Sequence, residues 1–212
     1  MRELEKIIDC YDKTAANYAD KFFNELEFKH FDRILLKAFA DENKAKGRLI
    51  DLGCGPGQTT RFLVENGCKN ILGVDLSTEM TKAASLKSPM IAFEQGDMLD
   101  LKYADESFAS AVAFYAIVNL TLSQVKIAFK EIKRVLQADG HFLFSFHNGQ
   151  GIVHYDEFLD KKVNIDFYYF EADEVKNLLT EVGFEFVDII KRQPYLSEYP
   201  SERAYIWVKK SD

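Results

Sequence analysis

Residues 49–60 read LIDLGCGPGQTT, a short aliphatic run that leads into three glycines at alternate positions. Residues 48–52 predict a buried strand, and the segment TTRFLVENG that follows predicts a helix. Between them, Gly53, Gly55 and Gly57 allow the backbone to approach a bulky group closely. A strand, a glycine loop and a helix in this order are typical of the ligand-binding edge of a parallel sheet.

The spacing of the glycines separates three kinds of ligand. A dinucleotide fingerprint needs G-x-G-x-x-G, but the sixth position is Gln58 counted from Gly53 and Thr60 counted from Gly55. A nucleoside triphosphate loop needs a lysine after its last glycine, and none follows here. The observed pattern is G-x-G-x-G with Asp51 two residues before it, which favours a ligand without phosphate groups.

The remainder of the chain predicts an α/β protein. Residues 1–46 have helical spacing of apolar side chains, and short aliphatic runs then alternate with amphipathic segments. We expect Ser77 and Ser123 to cap two of the helices, the second ending just before Gly140. This alternation predicts a doubly wound, mostly parallel sheet with helices on both faces. The predicted strands are residues 48–52, 70–76, 90–97, 108–116, 141–147, 184–190 and 203–210.

Composition limits the function classes. The chain has 212 residues, 47% hydrophobic, with 27 basic and 34 acidic residues and a net charge of −7. This balance argues against a nucleic-acid or anionic-membrane binder, and no apolar run approaches the ~20 residues of a membrane-spanning helix. Cys10, Cys54 and Cys68 form no C-x-x-C pair, which predicts a reducing, cytoplasmic location without a disulfide framework or metal site.

Four segments in order resemble the motifs of one family. DLGCGPG resembles motif I of the class I S-adenosylmethionine (SAM)-dependent methyltransferases, and GVDLS, EQGDMLDL and EIKRVLQADGHFLFSF are similar to the motifs that follow it. Together they cover residues 11–147. The resemblance implies a Rossmann-like seven-stranded sheet with an antiparallel last strand, SAM as cofactor, S-adenosylhomocysteine as product and a small-molecule acceptor.

The resemblance also implies a domain plan. We expect a single methyltransferase domain over residues 1–212. Residues 1–46 would form an N-terminal helical cap, 47–147 the SAM-binding core and 171–212 a C-terminal helix and strands. The aromatic-rich segment 148–170 predicts either a hydrophobic flap over the substrate or an extra hairpin on the sheet, and we favour partial packing.

The expected cofactor contacts follow the motifs. The glycines would meet the methionine part of SAM, Asp75 the two ribose hydroxyls and Asp97 the adenine amine, beside Met98. Asp51 would meet the amino group, and Tyr11 and Tyr18 would contact the cofactor from the cap. Each residue alone also has a structural explanation, such as a tight turn or a cap, but their joint occurrence at successive strand ends favours a site. The predicted cofactor-binding residues are Tyr11, Tyr18, Asp51, Gly53, Cys54, Gly55, Gly57, Asp75, Leu76, Met80, Gly96, Asp97, Met98 and Phe114.

The sequence signals for the residues that would contact the methyl acceptor are less specific. His147, His154 and Tyr115 are candidate catalytic residues, and each also has a structural explanation. The resemblance places a histidine where Asn119 stands in a group of small bacterial-type relatives, which argues against a base at this position. The [DN]-P-P-[FYW] sequence of enzymes that methylate nucleobase amino groups is absent. The candidate substrate-binding residues are Tyr115, Asn119, His147, Tyr169 and Arg203.

Alternative functions follow from the same residues. A protein or RNA methyltransferase would need an extended surface near the methyl group. An NAD-dependent oxidoreductase shares the acid at the second strand end, and a non-catalytic SAM-binding module shares every cofactor contact. The acceptor atom and the oligomeric state are left open by the sequence.

Overall fold

A computed structural model of the protein describes residues 3–211. Its N-terminal part is helical, as the spacing of apolar residues predicts. Helix α1 spans Glu3–Phe22, a short 3-10 helix spans Glu25–Glu27, and α2 spans His30–Asn43.

The remaining elements form one seven-stranded sheet, a separate hairpin and four helices. The sheet order is β3-β2-β1-β4-β5-β9-β8, in which β1 to β5 are parallel and β9 runs antiparallel to both of its neighbours. The predicted Rossmann-like fold with an antiparallel last strand is therefore confirmed. The strands are β1 (Leu49–Leu52), β2 (Ile71–Asp75), β3 (Ala92–Gln95), β4 (Phe108–Phe114), β5 (Leu136–Asn148), β6 (Ile152–Phe158), β7 (Lys161–Tyr168), β8 (Phe184–Arg192) and β9 (Glu202–Lys210). The helices are α3 (Gln58–Glu65), α4 (Thr78–Lys87), α5 (Leu122–Val135) and α6 (Ala172–Val182).

Both faces of the sheet are covered because its central strands are apolar on both sides. Phe142 and Phe144 pack with α5 and α6 on one face, while Leu143 between them packs with α2 on the other. Every residue of β1 is buried, as expected for a central parallel strand. The sheet is thus a rigid support whose strands end together at one edge.

The segment 148–170 is ordered as a hairpin of β6 and β7. Its end packs on the large sheet, where Phe170 is buried in the main core with its ring centre 6.3 Å from that of Phe146. Val163 and Ile165 of the hairpin pack against Cys10 of α1. The N-terminal helix offers the hairpin an apolar partner, and the two elements together form a layer beside the sheet edge.

The predicted bounds of α5 are wrong at both ends. Thr121, rather than Ser123, is the N-cap, and it forms a capping box with Gln124. At the other end α5 stops at Val135, because Leu136 already pairs with Phe108 of β4. Gly140 therefore lies within β5, where an added Cβ would stand 2.7 Å from the carbonyl oxygen of Gln137.

We predict that Thr121→Ala lowers the free energy of unfolding by about 1 kcal/mol, because the first turn of α5 loses its capping oxygen. Ser123→Ala is the matched control, since its hydroxyl bonds only the exposed Thr121 hydroxyl at 3.1 Å among the described contacts. Urea denaturation of both variants measures the difference. An equal loss in the two variants would contradict the assignment of the cap.

Candidate functional site

A pocket lies where β1, β2 and β4 end, beneath helix α1. Its floor is the sheet edge and its roof is the N-terminal helix, so it is closed on several sides. This is the crevice in which open parallel sheets bind ligands. Its wall consists of Leu4, Ile7, Tyr11, Tyr18, Leu52, Gly53, Gly55, Gln58, Val74, Asp75, Leu76, Met80, Gly96, Asp97, Met98, Phe114, Tyr115, Ala116, Asn119 and Leu120.

The glycine loop forms one side of the pocket. Gly53 and Gly55 have φ of +65° and +52°, the left-handed region that glycine adopts without strain. A Cβ on Gly53 would stand 2.4 Å from Cβ of Ala116, so this glycine permits close packing. A Cβ on Gly55 would have its nearest neighbours 3.9 Å away, on Gln58 and Tyr18 of the pocket wall. Gly55 therefore leaves room for a ligand.

Asp75 ends β2 and joins three parts of the site. Its Oδ2 accepts a hydrogen bond from the Gly55 amide at 2.8 Å, and its Oδ1 accepts one from the Ser77 amide at 2.9 Å. Burial raises the pKa of the Asp75 carboxyl to about 6, against the effect of these two amides. Each carboxylate oxygen keeps a second lone pair, so both can still accept from a pair of ligand hydroxyls.

The end of β3 supplies a second carboxylate to the pocket. Asp97 accepts the Leu99 amide on Oδ1 at 2.8 Å, which fixes the side chain in a local turn. Met98 beside it also lines the pocket, and its Cε lies 3.6 Å from the Cβ position of Gly53. The two residues together present an acceptor and an apolar, polarisable surface, which suits the edge and face of a heteroaromatic ring.

Helix α1 is attached over the pocket by polar contacts on both sides. Tyr11 donates its hydroxyl to Asn119 Oδ1 at 2.7 Å, and Asn119 donates Nδ2 to the Asp166 carbonyl of the hairpin at 2.8 Å. On the other side Asp12 accepts a hydrogen bond from the Ser77 hydroxyl at 2.5 Å. These contacts hold α1 between the start of α4 and the hairpin, and both predicted aromatic residues of the cap line the pocket.

Asp51 lies behind the glycine loop and outside the pocket wall. Its side chain is buried, and Thr60 donates its hydroxyl to Oδ2 at 2.5 Å. Oδ1 has no hydrogen-bond partner within residues 3–211. Burial raises the pKa of the Asp51 carboxyl to about 7, although the Thr60 hydroxyl favours its charged form. A buried acceptor without a partner indicates a place where a cationic or hydrated group would be stabilised.

Tyr115 forms the wall at the end of β4. Its φ of +54° is rare for a bulky residue, and its amide donates to the Ser145 carbonyl at 3.0 Å. The hydroxyl lies 3.2 Å from the Tyr205 hydroxyl, and Lys29 Nζ lies 4.6 Å from the ring centre. Burial raises the pKa of Tyr115 to about 12, so its phenol is protonated at neutral pH.

Two predicted cofactor residues act by packing rather than at the pocket wall. The Cys54 thiol faces Gly73, whose Cβ position is 3.1 Å away, and burial raises the pKa of that thiol. Gly57 is the N-cap of α3 with φ of +86°, and a Cβ there would stand 2.8 Å from Phe93. Gly57 is therefore needed for helix-to-sheet contact. The other predicted cofactor residues apart from Asp51 line the pocket.

The two candidate histidines lie outside the pocket wall. His147 bonds the Ser201 hydroxyl through Nδ1 at 2.7 Å, and burial together with the positive charge of Arg203 lowers its pKa to about 4. Its ring centre is 5.5 Å from that of Tyr115, so it supports the wall from behind. His154 is on the exposed side of the hairpin, where Asp166 at 2.7 Å raises its pKa.

Arg203 and Tyr169 are also placed behind the pocket. Arg203 is 3% exposed and donates Nη1 to the Tyr199 carbonyl at 2.8 Å, so its charge is used within the fold. Tyr169 packs on His147 with ring centres 5.5 Å apart. Of the candidate acceptor-side residues, Tyr115 and Asn119 reach the pocket wall.

Sequence reasoning missed several wall residues. Gln58 directly follows the glycine loop, and its Oε1 is buried without a partner in the described part of the chain. Because Gln58 is the first residue of α3, directly after the glycine loop, its place in the pocket wall could have been predicted from the sequence. Leu4 and Ile7 carry no local signal, because only the docking of α1 brings them to the pocket wall. Asp12, which bonds Ser77 outside the wall, was missed for the same reason.

No group of three His, Cys, Asp or Glu side chains within residues 3–211 is arranged to hold a metal ion. No helix in the same range is both long and apolar enough to cross a membrane.

We predict that Asp51→Asn stabilises the protein at pH 8 by roughly 1 to 4 kcal/mol, an order of magnitude set by the raised pKa. The folded state retains the Asp51 proton up to about pH 7, whereas the unfolded chain releases it near pH 4. The free energy of unfolding of wild type therefore loses the contribution of the retained Asp51 proton as the pH rises from 4 to 7. The variant has no such proton to lose. Urea denaturation across this range measures the effect.

Asp41→Asn is the control of opposite sign. Hydrogen bonds from Lys37 and Lys44 lower the pKa of the exposed Asp41 carboxyl to about 2, so its removal should not stabilise the protein at pH 8. A pH-independent difference between Asp51→Asn and wild type would contradict the prediction for Asp51.

The chain is similar to known methyltransferases in sequence. A family model described as a methyltransferase domain matches residues 50–144. An uncharacterized methyltransferase, OB1106 of Oceanobacillus iheyensis, is 30% identical over 66% of this chain and 66% of its own length. Uncharacterized protein MJ1252 of Methanocaldococcus jannaschii is 31% identical over 69% of this chain, and the match spans 54% of that relative.

Solved structures share the fold of the chain. Magnesium protoporphyrin IX methyltransferase ChlM from Synechocystis PCC 6803, determined with bound SAM, is similar with a TM-score of 0.75. The likeness covers 100% of this chain and 98% of ChlM at 13% identity, which shows a common fold. The matching family model and the related methyltransferase sequences place the protein with the methyltransferases, and its fold is that of SAM-dependent methyltransferase structures.

Proposed function

We propose that the protein binds SAM in the pocket beneath α1 and transfers its methyl group to a small molecule. The acceptor atom would attack the methyl carbon with a lone pair, and the carbon–sulfur bond would break with its electrons retained on sulfur. The products are S-adenosylhomocysteine and the methylated acceptor, which loses a proton if it carried one. The main task of the protein is to hold the two reactants in line.

The arrangement of Asp75 and Asp97 carries the proposal. They end adjacent strands and face one pocket, with the glycine loop on its other side. Asp75 would accept the two ribose hydroxyls on its free lone pairs, and Asp97 would accept the adenine amine through Oδ2. Met98 would pack on the adenine ring. The phosphate-free character of SAM fits a pocket whose wall contains no lysine or arginine among the described residues.

The methionine part of SAM would lie over Gly53 and Gly55. Gln58 Oε1 faces this region as a buried acceptor without a partner in the described chain, and it suits the ammonium group of the cofactor. The unpartnered Oδ1 of Asp51 lies behind the loop and would act through a water molecule. The ammonium group of SAM would therefore explain both unpartnered oxygen atoms, Gln58 Oε1 and Asp51 Oδ1.

Because α1 closes the pocket from above, we favour a small molecule over a protein or an RNA as the methyl acceptor. Helix α1 contributes Leu4, Ile7, Tyr11 and Tyr18 to the wall, so little open surface surrounds the reacting end. Asn119 uses its amide to bond α1 and the hairpin, and we assign it to holding the roof. The three cysteines are buried and unpaired, which supports a reducing cytoplasmic location.

Tyr115 is the polar residue at the acceptor end that we expect to touch substrate. His147 and His154 do not reach the pocket, so the proposal includes no histidine base. Positioning supplies the main acceleration in such a site.

We predict that SAM and S-adenosylhomocysteine bind and raise the melting temperature, whereas NAD and ATP do not. The reason is the paired carboxylates and the absence of a phosphate-binding cation from the described pocket wall. Isothermal titration calorimetry measures the binding of each of the four ligands, and thermal denaturation measures the melting temperature. A response selective for NAD would refute the proposed cofactor and favour an oxidoreductase.

We further predict that Gly55→Ala weakens S-adenosylhomocysteine binding at least tenfold, because its methyl group would occupy the space beside Tyr18 and Gln58. Gly151→Ala is the matched control. Gly151 also has positive φ, +97°, but no atom within 4 Å of its Cβ position and no place in the pocket wall. Both variants should lose roughly 1 to 2 kcal/mol of stability from backbone strain. Equal ligand affinity in the two would contradict a role for the Gly55 cradle.

A further inference from the structure

A chain of buried polar groups extends from the pocket wall into the protein. The Tyr115 hydroxyl lies 3.2 Å from the Tyr205 hydroxyl, and Tyr205 donates to Asp32 Oδ1 at 2.5 Å. Arg192 donates Nε to the Tyr205 hydroxyl at 3.0 Å and Nη2 to Asp32 Oδ1 at 3.1 Å. Tyr205 and Asp32 are both 1% exposed, so this chain is shielded from solvent.

The donor and acceptor roles in this chain are fixed by chemistry. A guanidinium only donates, and a carboxylate only accepts. Tyr205 has a single hydroxyl proton, which it gives to Asp32, and one of its lone pairs is taken by Arg192. The remaining lone pair faces Tyr115, so Tyr115 must be the donor in the bond between the two phenols.

Arg192 is itself held in place, which fixes the direction of the hydrogen bonds in this series of polar groups. Its guanidinium forms two bonds to Glu198, at 2.7 and 2.8 Å. Burial and the charge of Asp32 also raise the pKa of Tyr205, so its proton stays on the phenol. The series of hydrogen bonds therefore has no second arrangement in which Arg192 accepts a hydrogen bond or Tyr205 is ionised.

We propose that Tyr205 and Asp32 turn the Tyr115 proton inward, so that Tyr115 presents only a hydrogen-bond acceptor to the methyl acceptor in the pocket. This inference rests on the proposed methyltransferase function and names the chemistry of its substrate. The acceptor group carries an O–H or N–H, as an alcohol, a phenol or a primary or secondary amine does. A thioether or a tertiary amine offers no such donor. Tyr205 and Asp32 are positioning residues that act through Tyr115.

Neutron crystallography of the wild-type protein with S-adenosylhomocysteine tests the direction of the chain. We expect the Tyr115 deuteron between the two phenol oxygens and the Tyr205 deuteron on the line to Asp32. A Tyr205 deuteron directed at Tyr115, or a Tyr115 deuteron directed into the pocket, would overturn the inference. This measurement needs no variant and is unaffected by loss of stability.

Binding of phenol and anisole to the protein saturated with S-adenosylhomocysteine tests the consequence. The two probes share a ring, but only phenol donates a hydrogen bond. We expect wild type to bind phenol at least tenfold more tightly, and Tyr115→Phe to lose this preference through weaker phenol binding. Tyr205→Phe should bring the two affinities within about threefold by strengthening anisole, because Tyr115 can then donate outward.

The controls separate this inference from the proposed function. Affinity for S-adenosylhomocysteine, measured first by calorimetry, should be the same in wild type and Tyr205→Phe, because Tyr205 lies outside the pocket wall, and Tyr115→Phe is compared at its own saturating ligand concentration. Failure of wild type to bind that ligand would refute the proposed function. Normal binding of it, combined with equal affinities for the two probes or with no binding of either, would refute the role of Tyr115 alone.

Discussion

The Asp75 carboxylate is the contact on which the rest of the site depends. It accepts one amide from the glycine loop after β1 and one from the start of α4 after β2, so it fixes two connections relative to each other. Its burial raises the pKa, which shows that the fold holds a charge where it is costly. A carboxylate with free lone pairs at a fixed place is what a ribose diol requires.

Helix α1 turns this open sheet edge into an enclosed pocket. Its contacts with Ser77 and Asn119 begin at neighbouring residues, Asp12 and Tyr11, on the two sides of the helix. The hairpin extends the same layer through Val163 and Ile165. In the proposed function, substrate choice would therefore depend on elements outside the sheet, in agreement with the general separation of fold from function.

The fold, and the meeting of two strand-end acids at one pocket, were predictable because their signals are local. Asp75 and Asp97 each follow a strand whose apolar run is evident in the sequence, and parallel strands end at one edge. The Thr121 cap was missed because two hydroxyl residues stand close together and only the capping box distinguishes them. His147 suggested a base from its position after a strand, yet its ring faces Ser201 and Tyr115, which only tertiary packing decides.

The roof formed by α1 has a kinetic consequence. Tyr11 and Asp12 bond Asn119 and Ser77, which belong to two different elements beside the pocket, so both bonds hold α1 over it. If SAM binds beneath α1 as proposed, exchange of spent for fresh cofactor would require these bonds to break, and each catalytic cycle would include one opening and one closing. Turnover would then follow the rate of this movement whenever methyl transfer is faster, and two consecutive residues of one helix would set that rate.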